Sequence, residues 1–162
     1  MLTAASLGSG AAVSQSFVIG NGVTAGQQTT MIGAGDTGAV GPAGAIATFG
    51  AGVDAVRMFG SAQKFTNRGL VETSGGGVIN VNSQGSDATI LNDGTILAIG
   101  DASIAVLSEG DNAHIVNDGS IEALGVATYA IISNASGGVW TTTASSALPV
   151  WRPRASSASG RT

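Results

Sequence analysis

The chain has 162 residues, of which 43% are hydrophobic, 10% are charged and only 4% are aromatic. The part before Trp140 is acidic, with ten Asp and Glu side chains against three Lys and Arg, and this disfavours nucleic acid as a partner. The absence of cysteine excludes disulfides and thiolate metal sites. No apolar run approaches the ~18 residues that a membrane-spanning helix needs.

A repeat of 25 residues is predicted from residue 15 to residue 139. Its last three copies are closely similar: FTNRGLVETSGGGVINVNSQGSDAT from Phe65, ILNDGTILAIGDASIAVLSEGDNAH from Ile90 and IVNDGSIEALGVATYAIISNASGGV from Ile115. Weaker copies begin at Gln15 and Val40. A fixed period of this length is typical of a solenoid, in which each copy stacks on the next.

Residues 1–14 are predicted to form only part of a first coil, because Gly10 fits the repeat and Met1 begins in mid-coil. The chain is therefore interpreted as a piece of a longer solenoid. An open end of such a piece exposes unpaired backbone groups, and the first residues carry no charge or proline to deter pairing. We expect end-to-end self-association of the isolated chain.

Within each copy, apolar residues cluster at three places that are separated by turn residues. The predicted apolar columns are Ile46, Val71, Ile96 and Ile121; Met31, Val56, Val81, Val106 and Ile131; and Val40, Phe65, Ile90 and Ile115, while the glycine columns are Gly10, Gly35, Gly60, Gly85 and Gly110, and Gly50, Gly75, Gly100 and Gly125. Three short strands and three turns describe a triangular coil. The sequence therefore predicts an all-β fold, a right-handed parallel β-helix of about five coils, whereas a left-handed hexapeptide helix would favour a period near ~18.

A turn phrase, Asn-x-Gly, occurs near the start of each of the last three copies. Its residues are Asn67, Asn92 and Asn117, with Gly69, Gly94 and Gly119 two positions later. Stacked asparagines can hydrogen-bond carboxamide to carboxamide, and Asn-Asp-Gly favours a tight turn. These six residues are predicted to form a structural ladder rather than a ligand site.

The recurring phrase Asn-x-Gly-x-Ile resembles the passenger β-helix of bacterial autotransporters and related surface adhesins. The resemblance covers residues 15–139 and is strongest over residues 65–138. It implies a non-catalytic stalk or adhesin segment of a secreted or surface-exposed bacterial protein, with a host-surface or carbohydrate ligand as partner. Outer-membrane localisation is expected to depend on a signal peptide and a translocator barrel that are not recognisable in this chain.

Two Gly-Asp pairs, at residues 35–36 and 110–111, raise the alternative of a calcium-binding roll. That motif needs a nine-residue repeat with Asp in each turn. Here the period is 25 residues, and Ser61 and Ser86 interrupt the Asp column. No metal and no cofactor are predicted.

The other alternative is a fragment of a carbohydrate-active, polysaccharide-cleaving β-helix protein. Such chemistry needs two converging carboxylates, or a carboxylate cluster with a base. Asp93 and Asp118 share a column with Arg68, which favours a turn position where the arginine relieves repulsion between the acids. His114 precedes inward-facing Ile115 and should face solvent. No catalytic residue is predicted.

The repeat stops after Gly138. Residues 140–162 are rich in Ser and Thr and also contain proline and arginine, so they are predicted to form a flexible tail. Trp140 occupies the repeat position of Ile115 and could close the last coil as a plug.

Overall fold

The computed structural model describes residues 15–25, 29–134 and 136–143, and every regular element in those residues is a β-strand. The strands are β1 (Phe17–Ala25), β2 (Thr29–Met31), β3 (Thr37–Phe49), β4 (Val56–Met58), β5 (Lys64–Asn67), β6 (Leu70–Ser74), β7 (Ile79–Ser83), β8 (Thr89–Asn92), β9 (Thr95–Ile99), β10 (Ile104–Ser108), β11 (His114–Asn117), β12 (Ser120–Leu124), β13 (Tyr129–Ser133) and β14 (Val139–Thr142). All pairings between them are parallel. The predicted all-β parallel solenoid of about five turns is confirmed.

Three walls surround the interior of the helix. The nine-stranded sheet makes two of them, because the first half of β3 pairs with β5 and the second half pairs with β6. The first wall is thus β1, β3, β5, β8, β11 and β14, and the second is β1, β3, β6, β9 and β12. The third wall is the five-stranded sheet of β2, β4, β7, β10 and β13.

Short turns join the walls, and we name them by their order in a coil. In the coil that begins with β5, the first corner is residues 68–69, the second is residues 75–78 and the third is residues 84–88. Strands β5, β6, β8, β9 and β11 alternate buried and more exposed residues, as in β9, where Ile96 and Ala98 are buried between partly exposed neighbours. On the third wall, the last four residues of β7 and of β10 are all buried. Buried side chains from all three walls meet in a single core.

Like residues stack on like in this core. Val71 pairs with Ile96 and Ile96 with Ile121, and all three side chains are fully buried. Ile46 lies below Val71, so this predicted column is correct along its whole length. Each such aliphatic contributes about 1.5–3 kcal/mol relative to an exposed position.

On the first and third walls, the predicted register is wrong before the copy that begins at Phe65. On the third wall, Met31 pairs with Met58, and Thr29 rather than Met31 lies below Val56. The step between these coils is therefore 27 residues instead of 25. The predicted glycine column that contains Gly35 and Gly60 fails at the same place. A Cβ on Gly60 would overlap the carbonyl oxygen of Gly33, not an atom of Gly35.

The first wall shows the same displacement. Phe65 pairs with Gly38, and Val40, which the sequence placed below Phe65, pairs with Asn67. Phe17 in turn pairs with Gly38. The first copy thus begins at Phe17, two residues after Gln15. The second begins at Gly38, two residues before Val40.

The last coil continues past the predicted end of the repeat. Trp140 of β14 pairs with Ile115 and packs against the core, as expected of a residue in that column. The predicted boundary at residues 139 and 140 therefore falls inside β14. The predicted partial coil of residues 1–14 and the remainder of the tail, residues 144–162, lie outside the described residues.

Candidate functional site

Three asparagine side chains form a hydrogen-bonded ladder at the end of the first wall. Asn67, Asn92 and Asn117 are the last residues of β5, β8 and β11, and each is at most 1% exposed. The Nδ2 of Asn67 donates to the Oδ1 of Asn92 at 2.8 Å, and the Nδ2 of Asn92 donates to the Oδ1 of Asn117 at 2.7 Å. The structure thus brings all three predicted asparagines together along the axis.

The same carboxamides also bind the backbone of the turns. The Nδ2 of Asn67 donates to the carbonyl oxygen of Thr95 at 3.0 Å, and the Nδ2 of Asn92 donates to that of Ser120 at 3.0 Å. The backbone N–H of Gly69 donates to the Oδ1 of Asn67 at 3.1 Å. Asn67 and Asn92 therefore each bond to the backbone of their own corner and to that of the next coil.

Both ends of the ladder differ from its middle. Val40 lies below Asn67 and offers no polar group, so the lowest rung bonds only upward and locally. Above Asn117 lies Thr142, whose Oγ1 accepts from the Asn117 Nδ2 at 3.4 Å. Sequence reasoning missed Thr142, although it stands one repeat beyond Asn117.

The glycines of the first corner are required by close backbone approach. A Cβ on Gly94 would overlap the carbonyl oxygen of Gly69, and a Cβ on Gly119 would overlap that of Gly94. Neither glycine has a left-handed φ. At the second corner, by contrast, Gly75 combines φ +153° with a Cβ position only 2.5 Å from the carbonyl oxygen of Gly50. Close backbone approach alone thus requires Gly94 and Gly119 at the first corner, whereas Gly75 at the second corner is required both by close approach and by its backbone conformation.

The acidic column lies on the exposed side of the first corner. The Nε of Arg68 lies 3.4 Å from the Oδ2 of Asp93, and their side chains are 63% and 49% exposed. One coil higher, the Oδ1 of Asp118 accepts a hydrogen bond from the Oγ1 of Thr143. A solvated pair of this kind contributes at most about 1 kcal/mol. The geometry agrees with a turn position in which Arg68 neutralises a neighbouring acid.

Other corner side chains also bond to the coil next to their own. Asp101 Oδ1 accepts from the Val126 N–H at 2.8 Å, Asp111 Oδ1 accepts from the Ser136 N–H at 3.0 Å, and Asn112 Nδ2 donates to Asp87 Oδ1 at 3.2 Å. Each of these bonds joins residues that are 25 apart in the sequence. The polar groups at the corners are thus arranged along the axis of the helix.

A buried carboxylate on the third wall was missed by sequence reasoning. Asp54 is 4% exposed and accepts from the Arg57 Nε at 2.9 Å, the Ile79 N–H at 3.1 Å and the Asn82 Nδ2 at 3.1 Å. Three donors compensate the cost of burying this charge. Asp54 lies 25 residues before Ile79, in a column that continues with Ile104 and Tyr129. A charged residue in this otherwise apolar column was the sequence signal that could have revealed the buried carboxylate.

One asparagine crosses the interior between two walls. The Nδ2 of buried Asn80 donates to the carbonyl oxygens of Val71 at 2.9 Å and Leu97 at 2.8 Å, which belong to β6 and β9. Asn80 therefore links the third wall to two successive strands of the second wall. The repeat did not reveal this contact, because the equivalent positions in the other coils hold alanine, as at Ala55 and Ala105.

The other candidate residues, His114 and Asp36, are not part of the asparagine ladder. His114 is exposed, as predicted from its position before Ile115. Asp36, from one of the Gly-Asp pairs, is buried, and its Oδ2 accepts from the backbone N–H groups of Gly33 at 2.7 Å and Gln15 at 2.9 Å. Among the described residues, no three His, Cys, Asp or Glu side chains are grouped to hold a metal ion. In the same part of the chain, no helix could cross a membrane.

Comparisons with protein-family models, curated proteins and solved structures give no significant match.

Proposed function

We propose that the chain is a structural stalk or adhesin segment of a secreted or surface-exposed bacterial protein of the autotransporter type, and that it is not catalytic. The observation that carries this proposal is the direction of the polar contacts. From the buried asparagine ladder to the exposed corners, side chains bond to the coil 25 residues away. Bonds that run from coil to coil suit an extended rod, in which each repeat contacts only its neighbours.

A repetitive wall also suits a repetitive ligand. On the outer face of the second wall, Glu72 and Glu122 lie on either side of Leu97 in one column. Outward positions of this kind recur at the strand spacing of roughly 4.8 Å. The partner we propose is an extended host-surface or carbohydrate polymer, which can contact several coils at once.

Export to the cell surface is part of the same proposal. The resemblance to autotransporter passengers, carried by the Asn-x-Gly-x-Ile phrase, supports it. In such an arrangement, a signal peptide and an outer-membrane translocator belong to other parts of the protein, and the β-helix itself stays outside the membrane.

Surface display tests the proposal. The chain is fused between a secretion signal and an outer-membrane translocator, and intact cells are treated with protease and then probed with immobilised host matrix proteins and a glycan array. We expect the chain to be accessible on the cell surface, with binding to a polymer if it is an adhesin segment and none if it is a stalk.

Retention inside the cell would contradict the proposal. Release of reducing ends from polysaccharides by the purified chain would favour the carbohydrate-active alternative. The double variant Asp93→Asn, Asp118→Asn is the matched control in that assay, because it removes the only stacked pair of acids at the first corner among the described residues.

A further inference from the structure

Two serine hydroxyls on the third wall are buried and have no protein partner. Ser83 and Ser108 are both 0% exposed, and neither Oγ has a hydrogen-bond partner within the described part of the chain. They are neighbours in one column, where Ser83 pairs with Ser108 and Ser108 pairs with Ser133. Because buried polar atoms in proteins are nearly always hydrogen-bonded, these hydroxyls indicate a partner other than protein.

Small residues face these serines across the third corner. A Cβ on Gly138 would lie 3.6 Å from the Oγ of Ser133, so positions 138 and 133 oppose each other. In the coils below, the equivalent pairs are Ser108 with Ala113 and Ser83 with Ala88. Both alanines are only 1% exposed. The corner thus places a hydroxyl opposite a methyl group, sealed from solvent, in two successive coils.

The coil below closes this column with larger side chains. Met58 lies below Ser83, and Gln63 is the residue before β5 that corresponds to Ala88. The Nε2 of Gln63 donates to the carbonyl oxygen of Gly33 at 2.8 Å, whereas its Oε1 is buried without a partner. A third unpartnered polar atom therefore lies at the lower end of the serine column.

The spacing of the column decides what the partner is. Residues paired on neighbouring parallel strands are roughly 4.8 Å apart, which is too far for one hydroxyl to bond the next. A single water molecule at about 2.8 Å from each oxygen bridges that separation. We propose that the third corner holds a file of internal water molecules that bridge Ser83 to Ser108 and Ser108 to Ser133, with Gln63 Oε1 as an acceptor at its lower end.

Water NOE measurements on the full chain test this directly. Long-lived internal water should give cross-peaks to the methyl groups of Ala88 and Ala113. The methyl groups of Ile96, which is fully buried in the second wall, serve as the control and should give none. Absence of a water cross-peak at Ala113 in the parent chain overturns the proposal.

A matched pair of serine variants provides the second measurement. Ser103 is as buried as Ser108, but its Oγ donates to the carbonyl oxygen of Gly75 at 3.2 Å. If water satisfies Ser108, both Ser108→Ala and Ser103→Ala lose a hydrogen bond and lower the thermal midpoint, by roughly 2–4 °C each. Ser108→Ala should also abolish the water cross-peak at Ala113.

If the Ser108 hydroxyl has no water partner, the expected change in the thermal midpoint of Ser108→Ala has the opposite sign. Removing an unsatisfied buried Ser108 Oγ is favourable, so the midpoint of Ser108→Ala would equal or exceed that of the parent while Ser103→Ala still lowers it. That result overturns the proposal, and so does a water cross-peak at Ala113 that persists in Ser108→Ala.

Discussion

Asn92 is the middle rung of the ladder and shows why a carboxamide can be buried in this core. Its Oδ1 accepts from Asn67 and its Nδ2 donates to Asn117 and to the Ser120 carbonyl oxygen. Removing the side chain leaves one of the two N–H groups of the Asn67 carboxamide below, and the Oδ1 of Asn117 above, without the partner that Asn92 supplies. The cost of such orphaned groups, rather than the strength of one hydrogen bond, determines the energy.

We therefore expect Asn92→Ala to lower the free energy of unfolding by about 1–3 kcal/mol. Urea denaturation measures this difference. Asn134→Ala is the control, because Asn134 is exposed and should change the free energy by no more than about 0.5 kcal/mol. Equal values for the two variants would mean that the ladder does not stabilise the fold.

Glycine substitutions at two corners should separate steric contact from backbone conformation. Gly77 has φ +66°, a Cβ added there would meet no heavy atom within 4 Å, and alanine already occupies the equivalent Ala102 at φ 56°. We expect Gly77→Ala to cost about 1–2 kcal/mol, the usual penalty of a left-handed alanine. Gly94→Ala forces a Cβ onto the backbone of Gly69 and should cost about 3 kcal/mol or more.

The two midpoints in urea, compared with that of the parent, test this order. If Gly77→Ala were the more damaging variant, close approach of the coils could not be the reason for glycine at the first corner.

At the scale of the strands, β1, β3 and β5 solve a packing problem that the repeat does not show. Gly38 of β3 lies between Phe17 below and Phe65 above. The two rings fill the space that glycine leaves, with centroids 6.2 Å apart and planes inclined at 37°. A Cβ on Gly38 would lie 2.5 Å from the Phe17 ring, so these three residues depend on one another.

Phe65→Ala should therefore remove a large part of the lower core. The expected loss is about 3–5 kcal/mol, which is typical of truncating a buried phenylalanine. Phe49→Ala is the matched control, because Phe49 is 60% exposed, and it should cost less than about 1 kcal/mol. Thermal or urea unfolding of both variants checks the contrast, and similar losses would contradict this account of the core.

The strands also show how far the sequence could predict the structure. From Phe65 onward the repeat is regular, and both the columns and the ladder follow from stacking equal residues. Before Phe65, the strands of the first two walls are kept, but the length of the first corner changes. Four residues, 41–44, separate Val40 from Ala45, whereas only two residues separate their partners Asn67 and Leu70. A fixed period of 25 cannot represent such changes.

Isolated buried polar residues were harder to predict for a different reason. Asp54 and Asn80 occur in one coil each and therefore leave no periodic signal. Ser83, Ser108 and Ser133 do recur at one position of the repeat, although the last four residues of β7 and of β10 are all buried and show no alternation. Their lack of protein partners, however, depends on distances that no sequence pattern contains.

For the whole molecule, a stack of coils that contact only their neighbours should unfold in steps. A coil of 25 residues, extended at about 3.3–3.6 Å per residue, releases roughly 80 Å of chain. Single-molecule pulling on the two termini should therefore give length increments near 80 Å or small multiples of it. Release of all coils in one event would show that the solenoid unfolds as a single cooperative unit.

Within the described residues, β12, β13 and β14 each pair on one side only, and such edges recruit other strands. We expect the apparent mass in light scattering to rise with concentration through end-to-end association. Leu124→Lys places a charge on β12, where the parent side chain is 45% exposed, and should reduce this rise. A monomer mass that stays constant over the concentration series would exclude association through this end.

The unequal first corners have a further consequence for protein engineering. In two neighbouring coils the first corner differs in length, with residues 41–44 inside the continuous strand β3 and residues 68–69 between β5 and β6, and the strands on either side remain paired. Lengthening the connection at such a site should add little to the entropic cost of loop closure, because that cost grows only slowly with loop length. The first corner is therefore a natural position for grafting foreign epitopes, which the scaffold would present in rows set by the distance between coils.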